Sequence, residues 1–298
     1  MSERYLLCTD LDRTLLPNGL QPESACARPL FRKLVSHPEV HLAYVSGRSL
    51  ELVLQAIAKW DLPRPDFILG DVGSSIYEQA GQHREIANPA GSETRPDQWR
   101  RLEQWDREIA SDWNGSSVID IVTLLAPVDG LVLQEKHKQT RFKVSYYVAP
   151  QVDDKAMRQQ MQTILANAGI RASLIWSIDE AEQLGLLDVL PASATKRHAI
   201  EFLMRQQHFN PGETVFADDS GNDLPVLVSP VQSVLVANAT VEVQNQAVQE
   251  AEASGQAAAL YVARGNYLGM NGNYSAGILE GFVHYIPQAE NWLQEASP

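Results

Sequence analysis

The chain has 298 residues, 44% of them hydrophobic and 20% charged, with a formal net charge of -13. That length fits one large domain or two ordinary ones, and the composition fits a globular protein with a sizeable core. The acidic balance excludes a general nucleic-acid binder, which needs clustered Lys and Arg, but not one small anionic substrate held by a metal and a few local cations. No apolar run reaches transmembrane length and the N-terminus shows no signal-peptide pattern, so a cytoplasmic protein without a membrane partner is expected. Two cysteines, Cys8 and Cys26, give no disulfide framework and fit a reducing compartment.

Tyr5–Thr9 reads as a buried strand that delivers Asp10 and Asp12 where its apolar run ends. In an open α/β sheet, ligands gather beyond the carboxyl ends of the strands. Residues i and i+2 of an extended segment point the same way, so both carboxylates can face one ligand. Held together, they require a metal, a bound cation or a shared proton. A helix is expected over residues 22–35, then a strand over Val40–Val45 running into Ser46-Gly47-Arg48-Ser49. A second helix carries Leu50, Val53, Leu54 and Ile57 at helical spacing. A strand at 67–69 and a turn from Asp71 into a short hairpin complete an alternation that implies a parallel sheet.

The texture changes near His83, and residues 88–96 are polar and turn-rich, which suits a boundary. Trp99, Leu102, Ile109 and Trp113 are spaced for one helix face. Residues 117–133 are apolar, with helix expected in the first half, and residues 142–148 alternate as a strand with one wet face. Residues 153–168 form a helix burying Met157, Met161, Ile164 and Leu165, stopped by Gly169. Short strands follow at 174–177 and 187–190. These elements describe an α+β module, residues 83–188, inserted into a core domain made of 1–82 and 189–298. From Thr195 the alternation resumes, with a helix through Ile200 and Leu203, strands at 214–217, 233–236 and 260–262, and a last helix at 276–285.

Further chemistry falls at the same strand ends and helix starts. Ser46 and Gly47 lie where a helix begins, so free N–H groups, the helix dipole and a hydroxyl make a small anion site. Lys196 opens the returning helix, and Asp219 and Asp223 flank a Ser-Gly-Asn turn after the strand at 214–217. Carboxylates with backbone oxygens and water suit a hard cation such as Mg2+.

Asp-Leu-Asp-Arg-Thr, Ser-Gly-Arg, a lone Lys and Asp-Asp-Ser-Gly-Asn-Asp, in this order, resemble the four motifs of the haloacid dehalogenase superfamily of phosphatases. The segments at 43–49, 72–77, 142–146 and 275–280 resemble the bacterial sucrose-phosphate phosphatase family. The resemblance implies an α/β fold, a Rossmann-like parallel-sheet core with an inserted α+β cap, and it does not extend over residues 87–138. It implies Asp10 as nucleophile forming an aspartyl phosphate, and Asp12 as the acid and then the base, a double role that wants a carboxyl pKa nearer neutrality. Mg2+ would be held by Asp10, the Asp12 carbonyl and Asp219. Ser46, the Gly47 N–H and Lys196 would hold the phosphoryl oxygens, with Arg48, Lys143 and Asn222 on the substrate, Asp223 orienting Lys196 or water, and Thr14 supporting the loop. Two departures stand out. Asp218 occupies a position where relatives have Gly, so that Asp218 and Asp219 could exchange roles, and Arg13 replaces an expected Asn.

The implied activity is Mg2+-dependent release of sucrose from sucrose 6-phosphate by a monomer. Mannosylfructose phosphate or glucosylglycerol phosphate are alternative substrates. A different class of function is a catalytically silent sugar-phosphate-binding partner of sucrose-phosphate synthase. Trp99, Trp105 and Trp113 could stack on a sugar or pack internally, and Lys143 is either a surface lysine or a substrate contact.

Overall fold

The structure is a computed structural model that describes residues 3–80, 98–149, 151–179 and 184–294. Its first half runs β1 (Tyr5–Thr9), α1 (Ala27–Ser36), β2 (Val40–Val45), α2 (Leu50–Trp60), β3 (Phe67–Gly70), β4 (Ser75–Gln79), β5 (Trp99–Arg101), α3 (Glu103–Ala110) and α4 (Val118–Leu125). It continues with β6 (Leu131–Leu133), β7 (Val144–Val148), α5 (Asp154–Asn167), β8 (Ala172–Asp179), β9 (Leu184–Pro191) and α6 (Lys196–Gln207). The chain ends with β10 (Thr214–Asp218), α7 (Leu224–Leu227), β11 (Gln232–Leu235), α8 (Val241–Ala253), β12 (Leu260–Val262), α9 (Ser275–Tyr285) and α10 (Ala289–Gln294).

β1 lies inside an eight-stranded sheet of order β12-β11-β10-β1-β2-β3-β4-β5. Its neighbours β2 and β10 both run parallel to it, with Leu6 opposite His41 and Thr214. The chain winds outward on one side through β2 and β3 and on the other through β11 and β12. β1 therefore stands at the switch point of the sheet, where ligands bind in this architecture. Successive β1 side chains alternate between two buried clusters. Leu7 packs with Phe31, Val53, Ile57 and Phe282 of α1, α2 and α9. Leu6 and Cys8 face the other way, toward Ile200 and Leu203 of α6. A Cβ at Gly281 of α9 would come within 2.2 Å of Val234 Cγ2, so this helix rests directly on β11.

A second, four-stranded antiparallel sheet has the order β6-β7-β9-β8, with Met157, Met161 and Leu165 of α5 and Ile121 and Leu125 of α4 in the cluster that includes Val144, Tyr146 and Leu187. No helix among the described residues is long and apolar enough to cross a membrane. Cys8 is buried and Cys26 exposed, both as free thiols.

The structure departs from several expected boundaries. α1 begins at Ala27 rather than at residue 22, because the carbonyls of Gln21 and Pro22 accept hydrogen bonds from Tyr274 and Asn271 rather than continuing a helix. Trp99 does not open a helix. It lies on β5, paired with Gln79 of β4, so the large sheet takes a strand from within the span 83–188 expected for the inserted module. Helical spacing misled here because Trp99 serves one cluster while Leu102, Ile109 and Trp113 serve the other, one on each face of the sheet. β8 and β9 are each longer than expected, at eight residues. His83 and the expected turn at 88–96 lie outside the described residues.

Candidate active site

β1 carries Asp10 to the sheet edge, where its N–H donates to the Ala217 carbonyl of β10 at 2.9 Å. The pairing sets the first acidic residue beside those that follow β10. Lys196, the first residue of α6, donates to Asp10 Oδ1 at 2.8 Å and to Asp223 Oδ2 at 2.5 Å. One oxygen each of Asp10, Asp218 and Asp223 lie within 4.8 Å of one another, all three residues being buried. Asp218 Oδ2 accepts from the Ser220 N–H, while its Oδ1 is buried with no hydrogen-bond partner.

Burial dominates the titration of Asp10 and Asp218. It pushes Asp10 up to about 7 even though Lys196 pulls the other way. Burial, reinforced by Asp223, holds Asp218 well above the usual carboxylate range. For Lys196, burial disfavours the ammonium, but Asp10, Asp223 and Asp218 outweigh it and raise its pKa. Three buried carboxyl groups beside one ammonium, with one Asp218 oxygen left unpartnered, suit a hard divalent cation that would relieve the cost of ionising them.

Asp219 does not join that group. Its Oδ1 accepts from Thr14 Oγ1 at 3.0 Å and its Oδ2 lies 3.3 Å from Arg13 Nε. Of the expected metal set of Asp10, the Asp12 carbonyl and Asp219, the two carboxylates do not share one cluster: Asp218 and Asp223 lie beside Asp10 instead, because β10 extends through Asp218 and turns that side chain, not the next, toward Asp10.

Asp12 is clamped. Arg48 donates to it from Nε at 2.7 Å and from Nη2 at 2.6 Å, and Asn18 adds a third bond at 2.8 Å. Burial lifts the Asp12 carboxyl, but the Arg48 bonds and charge outweigh it and hold it below the ordinary range. The expectation of a carboxyl nearer neutrality is therefore not met in this arrangement, and the bidentate guanidinium is the reason. Ser46 is buried at the end of β2, its Oγ accepting from the Arg48 N–H, and Gly47 is exposed beside it. Asn222 is exposed in the turn before α7. Lys143 is no surface lysine: its Nζ lies 3.0 Å from Asp71 Oδ1, with side-chain exposures of 9% and 1%.

Trp105 and Trp113 are fully buried, and Trp105 donates to the Gly73 carbonyl at 3.1 Å, so both pack rather than stand free to stack on a sugar. Sequence reasoning missed Asn238, whose Nδ2 donates to the Arg13 carbonyl at 2.6 Å while its Oδ1 accepts from the Tyr274 N–H at 2.8 Å. Arg13 and Tyr274 both have left-handed φ, 62° and 53°, so one buried amide holds two strained residues in place. Asn238→Ala would strand both backbone groups. It is expected to destabilise the protein by about 1–3 kcal/mol in urea unfolding. No short motif marks Asn238, and only its place just after a strand could have drawn attention to it.

A parallel sheet with an acidic cluster at its switch point, completed by a lysine from the returning helix, defines a phosphatase of the haloacid dehalogenase type. Solved structures agree on the fold: the sucrose-phosphatase of Synechocystis sp. PCC6803, in complex with sucrose and phosphate, superposes with a TM-score of 0.68 at 23% identity, over 96% of this chain and 99% of that one. The family model for sucrose-6F-phosphate phosphohydrolase matches residues 3–286, and the chain belongs to that family. A protein of Nitrosococcus oceani with only the general description HAD-like hydrolase is 47% identical over 99% of this chain and 75% of its own length. The mannosylfructose-phosphate phosphatase of Agrobacterium fabrum is 26% identical over 84% of this chain and 90% of its own.

Proposed function

We propose that the protein is an Mg2+-dependent phosphatase that releases sucrose from sucrose 6-phosphate. The observation that carries the chemistry is the convergence of Asp10, Lys196, Asp218 and Asp223 at one sheet edge. Asp10 attacks phosphorus, the sugar oxygen leaves with the electrons of the broken P–O bond, and an aspartyl phosphate forms. Water then attacks that phosphorus and regenerates Asp10. Asp10, Asp218 and Asp223 would hold Mg2+, which supplies charge neutralisation between the nucleophile and the phosphoryl group. Lys196, Ser46 and the Gly47 N–H hold the phosphoryl oxygens, Asn222 lines the same edge, and Thr14 with Asp219 fixes the loop.

Asp12 gives its proton to the leaving sugar oxygen and recovers one from the attacking water. Its clamp suggests how it is armed: the phosphoryl group of an arriving ester competes for the Arg48 guanidinium, which favours bidentate oxyanions. Freed of Arg48, the half-buried Asp12 carboxyl rises toward a range in which it can carry the proton. The four-stranded sheet with α4 and α5 acts as the cap over the sugar, with the core formed by the two ends of the chain.

A second reading, a phosphatase for mannosylfructose phosphate, is favoured by the Agrobacterium relative. The deciding experiment is phosphate release with Mg2+ from sucrose 6-phosphate, mannosylfructose phosphate, fructose 6-phosphate and glucose 6-phosphate. A preference for sucrose 6-phosphate of about 100-fold or more in kcat/KM is expected. Equal turnover of the monosaccharide phosphates would sink the sucrose assignment, since discrimination on that scale needs hydrogen bonds to both rings.

A further inference from the structure

The turn between β3 and β4 does more than reverse the chain. Asp71, Val72 and Gly73 all take left-handed φ, at 53°, 60° and 91°. For a β-branched valine this is strained, and such strain persists only where the surroundings over-determine it. Here they do. The Asp71 N–H donates to the Arg48 carbonyl at 2.9 Å and the Val72 N–H to the Ser46 carbonyl at 3.2 Å, so the turn is tied to the loop that carries Ser46 and Gly47. A Cβ at Gly73 would come within 2.6 Å of the Thr195 backbone, so the turn also abuts the start of the helix bearing Lys196.

The same turn is gripped from the other side. Lys143, which leads into β7 of the four-stranded sheet, ends its side chain on Asp71 Oδ1, while Asp71 Oδ2 accepts from Ser75 Oγ at 3.0 Å. Trp105 of α3 donates to Gly73 O. A buried ion pair adds little stability over an apolar pair of similar size, because desolvation offsets the attraction, but it penalises any arrangement in which the partners separate. Resting on the phosphatase reading above, we propose that Asp71 is a positioning residue. Through Lys143 it holds the four-stranded module at the lip of the Ser46–Arg48 loop, so that an ester recognised by that module depends on Asp71 while a small ester does not.

Asp71→Asn preserves side-chain size and tolerance of positive φ but removes the charge, and Lys143→Met removes the partner. The test measures kcat and KM, with Mg2+, for the glycosyl phosphate preferred in the substrate panel and for an aryl phosphate. Each single variant is expected to lose about 10–100-fold in kcat/KM on the glycosyl phosphate, within the usual range of site coupling. The double variant should lose no more than the worse single one, Lys143→Arg should recover part of the activity, and aryl phosphate turnover by Asp71→Asn should stay within about threefold of the wild type. Hydrogen exchange over residues 140–148 should rise in both single variants. Parallel loss on both esters in Asp71→Asn, additive losses, or no loss on the glycosyl phosphate would overturn the proposal, and if Asp71→Asn fails to fold, unchanged hydrogen exchange over residues 140–148 in Lys143→Met would overturn it. Wild-type protein inert toward every ester would instead defeat the phosphatase reading, and the exchange measurement would still decide whether Asp71 and Lys143 hold the two sheets together.

Discussion

Asp10→Asn is expected to lower Mg2+-dependent phosphate release from an aryl phosphate by about 10,000-fold or more, the scale seen when a nucleophile that works within a unit is removed. The amide fills the same volume, so the fold survives, but its neutral oxygen is a poor nucleophile toward phosphorus. The stability change should run the other way. Asp10 is buried with its pKa pushed up to about 7, which means that the folded protein holds the charged carboxylate at a cost near neutral pH. Lys196 keeps Asp223 as its partner, so without metal at pH 8 Asp10→Asn should melt at a higher temperature than the wild type, by a few degrees. An inert, more stable variant would separate chemistry from folding. A variant keeping a tenth of the wild-type rate would exclude Asp10 as the nucleophile.

Lys196→Met should produce the largest loss of stability, and one that depends on pH. Lys196 is the ammonium bonded to both Asp10 and Asp223, and removing one partner from a buried pair costs about 3–5 kcal/mol. Asp10 and Asp218 have folded pKa values raised above 3.8, so the stability that goes with their protonation is fully present below the unfolded value and is lost as pH rises through the folded one. In the metal-free wild type, stability should thus fall from pH 5 toward pH 8, and Mg2+ should restore more of it at pH 8 than at pH 5. In Lys196→Met the same carboxylates lack their cation. The destabilisation should be greatest at pH 8 and shrink toward pH 5, where protons substitute for the ammonium. Melting temperatures across that range, with and without Mg2+, test both statements. A pH-independent loss would mean that Lys196 acts through packing alone.

The parallel sheet was legible because its strands are short apolar runs ending in polar turns, and Asp10, Ser46 and Asp223 each follow such an end, while Lys196 opens the helix that returns to the sheet. Spacing could not tell which of Asp218 and Asp219 turns inward, since that depends on where β10 stops pairing with β1 and β11. Nor could it show that Arg48 clamps Asp12, a contact between two separate strand ends. Trp99 was misread because a strand of three residues leaves too few positions to betray a period of two, while its apolar neighbours satisfied a helical one. Asp71 and Asn238 escaped notice for a shared reason: each acts by bonding segments distant in sequence, which local patterns do not record.

The pairing of β1 with β10 also bears on how the protein is made. Leu6 meets Thr214 across the whole intervening segment, so a nascent chain can cover one edge of β1 with β2 early but must leave the other bare. At roughly 5–20 residues per second, that edge waits on the order of 10–40 s on the ribosome before β10 is synthesised. Until then Asp10 is a carboxylate in water, without Lys196, Asp218 or Asp223 around it. Newly made chains are thus inactive by construction, and the unpaired apolar strand is the segment that a chaperone would be expected to shield during synthesis.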